Sequence, residues 1–184
     1  MKFSFAVKIY SVFLFFLLFN SLFSKPSSGQ DTLKEIESLH ARGEYSSSLS
    51  ILEKIYRIRP YHDRIVIMYG MALLFREDSI SEDEYIEGCR IAANLFQDVI
   101  ELHNANLAQG KTGQLALLHF HKALALWFSN QPDQAIGEFK ISYKLNPGIN
   151  EALHNQSIIL LESGKYTESM RTMESYKKSL NEGD

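Results

Sequence analysis

The feature that most constrains the fold of this 184-residue chain is an internal repeat with a period of 34 residues. Shifting the sequence by 34 positions lays residues of similar size, or of similar turn role, on one another. The clearest pairs are Ala123 on Ser157, Leu126 on Leu160, Asn130 on Gly164, Pro132 on Tyr166, Ala135 on Ser169 and Phe139 on Met173. A fixed period of this length is typical of arrays in which one supersecondary unit is stacked several times.

Each unit of the repeat is predicted to be a pair of helices. From Asp31 onward, apolar residues recur at steps of three and four, and strand-like alternation is rare. Turn residues begin the second helix of a unit, and a proline follows its end. These signals are GEY at 43–45, GKY at 164–166, RIRP at 57–60 and KLNP at 144–147. The sequence therefore predicts an all-α fold of helix–turn–helix units.

This period and these turn signals resemble those of the tetratricopeptide repeat, over about residues 29–184. The resemblance implies a right-handed superhelix of about four units, at about 29–62, 63–115, 116–149 and 150–183. It also implies small residues where paired helices touch, and these are Gly70, Ala123 and Ser157 on the first helices and Ser48, Ala135 and Ser169 on the second. In departures from the usual pattern, His119 and Leu153 replace an early aromatic residue, and Lys122 and Gln156 stand where leucine is common.

The second unit is predicted to be irregular, because its 53 residues exceed the period by 19. Part of the excess lies in a charged turn at 77–83. The rest lies after a long second helix, expected at about 84–103, in a connection that contains the stretch ANLAQGKTG.

Residues 105–112 fit the loosest form of the phosphate-binding P-loop pattern, with Ala105 where the first glycine usually stands and Lys111 near its end. A P-loop works because a strand delivers a glycine-rich turn to a helix N-terminus, where backbone amides hold phosphate. Here a helical pattern precedes the stretch, and no later strand ends in an acid that would bind magnesium. We therefore expect a helix connection and no cofactor. A nucleotide-binding protein using 105–112 is the remote alternative.

The first 24 residues are predicted to be a signal peptide. Lys2 and Lys8 precede an uninterrupted apolar run, and only 16 residues separate Lys8 from Lys25. A transmembrane helix needs about 20 apolar residues, so cleavage near Ser24 is the better interpretation. Residues 25–30 would then be a short polar linker before the helical domain at 31–184. The protein is expected to be exported, to the periplasm or cell envelope. The alternative is an uncleaved signal anchor, with membrane contact through this segment alone.

Composition argues against several classes of function. The net charge of −3 is unsuited to nucleic acid, which demands a basic face. The single cysteine, Cys89, allows no internal disulfide and no metal site built on thiolates. His119 and His121 are two residues apart, which on a helix points them to different faces. No set of nucleophile, base and orienting group is apparent, so we expect neither an enzyme nor a metal site.

The tetratricopeptide resemblance implies that a protein or peptide binds in the concave groove lined by the first helices. The candidate partner-binding residues, called the inner stripe below, are Ile67, Met71, Leu74, Phe75, Leu117, Phe120, His121, Leu124, Trp127, Phe128 and Asn155. Of the lysine-and-asparagine clamp by which some relatives bind a C-terminal carboxylate, only Asn155 matches a position. The spacing of the stripe fits core packing equally well, so the alternative is a covered stripe.

The expected function is that of a non-enzymatic binding module, a scaffold or adaptor, in a bacterial cell envelope. An apolar groove rimmed by polar residues usually marks an interaction surface. The alternative is a self-associating structural protein, a homo-oligomer whose groove binds a neighbouring copy. Light scattering distinguishes the two, because only the second predicts a dimer that depends on concentration.

Overall fold

The computed structural model describes residues 30–77, 80–105 and 112–181. These residues form helices and connecting turns, with no strand among them. The helices are α1 (Gln30–Ala41), α2 (Tyr45–Ile58), α3 (Asp63–Phe75), α4 (Glu82–Ala105), α5 (Thr112–Phe128), α6 (Pro132–Leu145), α7 (Glu151–Glu162) and α8 (Tyr166–Asn181). The predicted all-α fold is confirmed.

The helices stack in chain order as four pairs. Each helix packs against the one before it and the one after it, and α3 also packs against α5. The odd-numbered helices are therefore the first helices of the units and the even-numbered ones the second. Within the second unit, the ring Nε2 of His103, near the end of α4, donates to Asp63 at the start of α3 over 2.9 Å. The two helices of that pair thus run antiparallel.

The turn inside three of the four units has the same backbone geometry. After α5, the amide of Gln131 donates to the carbonyl of Leu126 (2.8 Å), and the amide of Asn130 donates to that of Trp127 (3.1 Å). This bond pair is a Schellman motif, which needs a residue with positive φ just past the helix. The residues with positive φ are Gly43 (78°), Asn130 (61°) and Gly164 (74°). The alignment of Asn130 with Gly164 in the repeat reflects this shared turn.

The second unit departs from that turn. Arg76, which follows α3, has φ −57° and ψ 136°, so the chain leaves the helix in an extended conformation. The next helix then begins with a capping box at Ser81. The hydroxyl of Ser81 accepts from the amide of Glu84, whose carboxylate accepts from the amide of Ser81. This cap starts α4 at Glu82, two residues before its predicted start.

The third unit also begins earlier than the period predicts, because α5 starts at Thr112 rather than at 116. Residues 112–115 were assigned to the second unit and lie instead in the first helix of the third. Leu115 is buried, which extends the apolar pattern of α5 toward its N-terminus.

Small residues lie where the helices touch, as predicted, and all six of them are buried. Gly70 lies against the ring of Phe96, which joins α3 to α4. The hydroxyl of Ser169 donates to the carbonyl of Ser157 over 2.8 Å, which joins α8 to α7. The main core runs through units two to four. A smaller core of Ile36, Leu52, Met68 and Ala72 joins the first unit to α3.

Within the described residues, no helix is long and apolar enough to cross a membrane. The predicted signal peptide at 1–24 lies outside those residues, as does most of the stretch that fits the P-loop pattern, 106–111.

Candidate interaction surface

The inner stripe is distributed over α3, α5 and α7 as predicted, but its side chains are buried. Every residue of the stripe is buried except Phe75, which is half-buried. The sequence left open whether the stripe is an open groove or is covered. This burial favours the covered stripe, and a role of these residues in binding stays a prediction.

Contacts between units account for much of this burial. Phe128 meets Phe75 of α3 edge-on, with 6.0 Å between the ring centroids. Phe120 meets Phe139 of α6 at 5.4 Å. His121 stacks on Phe96 of α4 at 5.8 Å. These three members of the stripe therefore hold α5 to its neighbours, which the spacing of residues along one helix could not reveal.

Two further members of the inner stripe involve α7, since Trp127 contacts this helix and Asn155 belongs to it. The indole Nε1 of Trp127 donates to the carboxylate of Glu162 over 3.2 Å, which links the third and fourth units. Asn155 is fully buried. A carboxylate clamp must offer its amide to a ligand, so the clamp suggested by Asn155 is not presented in this conformation.

Helix α5 lacks the polar stripe of an ordinary surface helix. From Leu115 to Ser129, every residue except Lys122 is buried. Lys122 faces the second helices, because its ammonium donates to Gln97 of α4 (2.5 Å) and to Glu138 of α6 (2.6 Å). Leu117 and Leu124 lie on the side of α5 opposite Lys122. Their side of the helix therefore points away from this lysine and its polar partners and is apolar.

A polar network that the sequence analysis missed joins α4, α5 and α6. Besides Lys122, the carboxylate of Glu138 accepts a hydrogen bond from Nδ1 of His119 at 2.5 Å. Burial raises the pKa of Glu138, but the hydrogen bonds from His119 and Lys122 outweigh it and leave that pKa below its ordinary value. The sequence signals of this network were two departures on α5, His119 in place of an early aromatic residue and Lys122 where leucine is common.

The paired histidines of α5 diverge as their spacing predicts. His119 bonds to Glu138, whereas His121 lies against Phe96 on another side of the helix. Burial lowers the pKa of His121 to about 4, so this imidazole is neutral at physiological pH. Within the described ranges, no group of histidine, cysteine and acidic side chains is placed to hold a metal ion.

Another buried histidine, His40, joins the two helices of the first unit. Its Nε2 donates to the hydroxyl of Ser48 over 2.9 Å, and that hydroxyl donates in turn to the carbonyl of Tyr45. Burial lowers the pKa of His40 to about 4. The hydrogen bond positions α1 on α2 without any charge.

A half-open cavity of about 690 Å³ lies between α4 and α6, on the side of α5 that carries Lys122. Its wall is rich in side-chain amides, among them Asn94, Gln97 and Gln134. Gln97 is already engaged, because its carbonyl accepts from Lys122 and its amide donates to Glu101. This polar cavity is thus distinct in chemistry from the apolar side of α5.

The lone cysteine is buried within α4. Cys89 has no exposed surface and belongs to the main core, as is common for this small, uncharged residue. Tyr85, one turn earlier, donates its hydroxyl to the carbonyl of Leu74 over 3.0 Å. Burial raises the pKa of Tyr85 far above its ordinary value.

The stretch that fits the P-loop pattern follows a helix. α4 continues to Ala105, where a phosphate-binding loop would need the end of a strand. The helix predicted before this stretch is confirmed, and it removes the structural context on which phosphate binding depends.

Comparison with known proteins finds similarity in structure alone. No protein-family model matches the sequence, and no curated protein matches it. The chain resembles the solved structure of the MamA RS-1 ArsTM double mutant with a TM-score of 0.63 and 14% identity, covering 95% of this chain and 86% of that one. For MamA MSR-1 C2 the TM-score is 0.39 at 14% identity, over 84% and 95% of the two chains.

At such low identity, the first of these similarities bears on the fold alone. It supports an all-helical, tetratricopeptide-like repeat for this chain, in agreement with its stacked helix pairs and shared turns. The second has too low a score to add to this conclusion.

Proposed function

We propose that this protein is a non-enzymatic scaffold that binds a protein or peptide through the first helices of its array. The observation that carries this proposal is the composition of α5. A helix in a two-layer stack normally keeps a polar side toward solvent. Helix α5 is instead buried from Leu115 to Ser129 except at Lys122, and Leu117 and Leu124 lie on the side of the helix opposite that lysine.

An apolar segment of a partner would gain from contact with this side of α5. Each aliphatic or aromatic side chain that it buries there contributes roughly 1.5–3 kcal/mol, so a few anchors would set the affinity. Since Leu117 and Leu124 are buried in the free chain, binding requires that this side of α5 be uncovered. The affinity would then be reduced by the free energy of that opening.

Leu117→Ala tests the proposal, with Leu118→Ala as its control. The two residues are neighbours on α5 and both are buried. Proteins captured from a cell-envelope extract by the wild type should be lost with Leu117→Ala and retained with Leu118→Ala, under conditions where circular dichroism shows both variants folded. Adding the captured partner should also shift the emission of Trp127, the single tryptophan. Equal capture by wild type and Leu117→Ala would contradict the proposal.

We further propose that the protein is exported and acts in the cell envelope. The support is the sequence of residues 1–24, with its two lysines, short apolar run and small residue Ser24. Mass spectrometry of the protein from its native host should find a mature N-terminus between Lys25 and Gln30. An intact Met1 on membrane-bound protein would instead identify an uncleaved anchor.

A further inference from the structure

Helix α8, the final helix among the described residues, presents an exposed apolar strip. Tyr166 is 65% exposed and Met170 is 66% exposed, while Met173, one turn further, is half-buried. These residues follow one another at steps of four and three, so they lie on one side of α8. Leu161, in the last turn of α7, is also 52% exposed. Large apolar side chains this exposed, on neighbouring positions, are typical of an interaction surface.

The repeat explains why the strip is apolar. One period earlier, Met170 corresponds to Ile136, Met173 to Phe139 and Leu161 to Trp127. All three of these counterparts are buried in the third unit, which is followed by the fourth. The strip thus carries apolar side chains at positions that are buried in the third unit, and two of its three residues are largely exposed in the fourth.

The strip has a spacing that reads the same in both directions. Tyr166, Met170, Met173 and Lys177 are separated by four, three and four residues. When a second α8 is laid antiparallel on the first, Met170 of each copy therefore lies on Met173 of the other. In the same arrangement, the Tyr166 ring of each copy lies on the Lys177 ammonium of the other. Such a surface is self-complementary about a two-fold axis, as an isologous dimer contact requires.

Lys177 supplies a cation that suits the face of the Tyr166 ring. It is exposed and lies on the same side of α8 as the apolar strip, three turns after Tyr166. It forms no ion pair with another described residue. An ammonium over a tyrosine ring is attracted by the ring electrons, and its aliphatic stem covers apolar surface. The cation is thus suited to the tyrosine that the antiparallel copy brings to it.

We propose that two copies of this chain associate through an antiparallel pairing of α8 with α8. The Met170 and Met173 side chains form the centre of the contact, and Tyr166 and Lys177 form its two ends. This surface is separate from the inner stripe, so the dimer leaves the partner-binding side of α5 unoccupied. The proposal goes beyond the scaffold function and does not depend on it.

Sedimentation and light scattering of the protein purified from its host test the pairing. The wild type should be a dimer that dissociates on dilution. Met170→Glu should raise the dimer dissociation constant at least about tenfold, because it places two carboxylates in the apolar centre. Ile58→Glu is the matched control, since Ile58 is 78% exposed on α2, away from the strip. A wild type that stays monomeric, or a Met170→Glu variant as dimeric as Ile58→Glu, overturns the proposal.

A charge exchange tests the register. Lys177→Glu alone removes the cation from both ends, and Tyr166→Lys alone sets two ammonium groups against each other, so each variant should dimerise more weakly than the wild type. An equimolar mixture should form a heterodimer, because one end keeps the tyrosine–lysine contact and the other gains a lysine–glutamate pair. A mixture no more dimeric than the separate variants overturns the register.

The two proposals fail separately. If Leu117→Ala dissociates the dimer and Met170→Glu does not, the copies associate through the inner stripe or a helix that depends on it, and the α8 pairing is wrong. If Met170→Glu produces a monomer that still captures the partner, both proposals are supported. A dimer joined through α8 with no partner capture leaves the pairing standing and contradicts the scaffold.

Discussion

At the scale of single residues, Gly70 of α3 lies in close contact with the ring of Phe96 of α4. A Cβ atom built on Gly70 would overlap the Phe96 ring, which is itself fully buried and has little room to move. The glycine is therefore required by close approach of α3 to α4 rather than by an unusual backbone angle.

Gly70→Ala should lower the free energy of unfolding by about 1–3 kcal/mol, because the added methyl group forces the Phe96 ring or the helix to shift. Gly137→Ala is the matched control. Gly137 lies in α6 with no atom near its Cβ position, so alanine should raise stability there by up to about 1 kcal/mol. Urea titration of both variants measures these changes in the free energy of unfolding. A Gly70→Ala variant as stable as the wild type would show that α3 and α4 can move apart around the added methyl group at no cost.

Buried histidines make the stability sensitive to mild acid. Burial lowers the pKa values of His40 and His121 to about 4, from an ordinary value of 6.5. As the pH falls below 6.5, the unfolded chain takes up protons at these residues and the native chain does not. The native state therefore loses stability between pH 6.5 and pH 4.

His40→Gln should reduce this acid sensitivity. Each buried histidine contributes a loss of about 2 kcal/mol in the free energy of unfolding between pH 7 and pH 5. Urea titrations at those two pH values should thus show a smaller decrease for His40→Gln than for the wild type. Equal decreases would mean that His40 is protonated in the native chain above pH 5.

At the scale of helices, the polar network links α4, α5 and α6 more specifically than apolar packing does. Lys122 and His119 both bond to Glu138, and Lys122 also bonds to Gln97. A shift of α5 along its axis would break these bonds together. The network therefore fixes the position of α5 relative to two second helices.

Lys122→Leu should lower the free energy of unfolding by about 1–3 kcal/mol at neutral pH, although leucine is common at this position of the repeat. The loss arises because Glu138 keeps its charge while losing a donor. Adding Glu138→Gln should recover part of the loss. The exposed Lys140 gives the control, since Lys140→Leu should change stability by less than about 0.5 kcal/mol. Equal changes in the free energy of unfolding for Lys122→Leu and Lys140→Leu would show that the network does not stabilise the fold.

The sequence predicts the local parts of this fold better than the contacts between helices. The turns at Gly43, Asn130 and Gly164 depend on residues that are adjacent in the chain, so their signal repeats with the period. The start of α4 also has a local signal, the serine and glutamate of its capping box, but the prediction from the apolar pattern placed this start two residues too late. By contrast, the spacing of apolar residues by three and four along α5 is compatible with Phe120 and His121 in an open groove and equally with both in a core. Only the positions of Phe139 and Phe96 on other helices decide between them.

At the scale of the whole molecule, the connections in and after the second unit are where the array is irregular. Limited proteolysis should therefore cut first within 77–81 or 106–111, because each stretch lies between two helices and its charged residues, Asn106 or Gly110 disfavour helix. Mass spectrometry of the first fragments identifies the sites. Protection of both segments while the chain ends are trimmed would mean that they are packed against the array.

Repeat arrays open by units, since each unit contacts only its neighbours, and the end units open most readily. The single thiol of Cys89 lies in the core of an internal unit, on α4. The rate at which a thiol reagent modifies Cys89 therefore measures how often the internal units open. Fraying of α1 or α8 does not raise this rate. If a partner must uncover α5 in order to bind, the thiol reagent and the partner both depend on transient opening of the internal units. The lone cysteine thus gives this molecule a built-in probe of how often its interior is exposed.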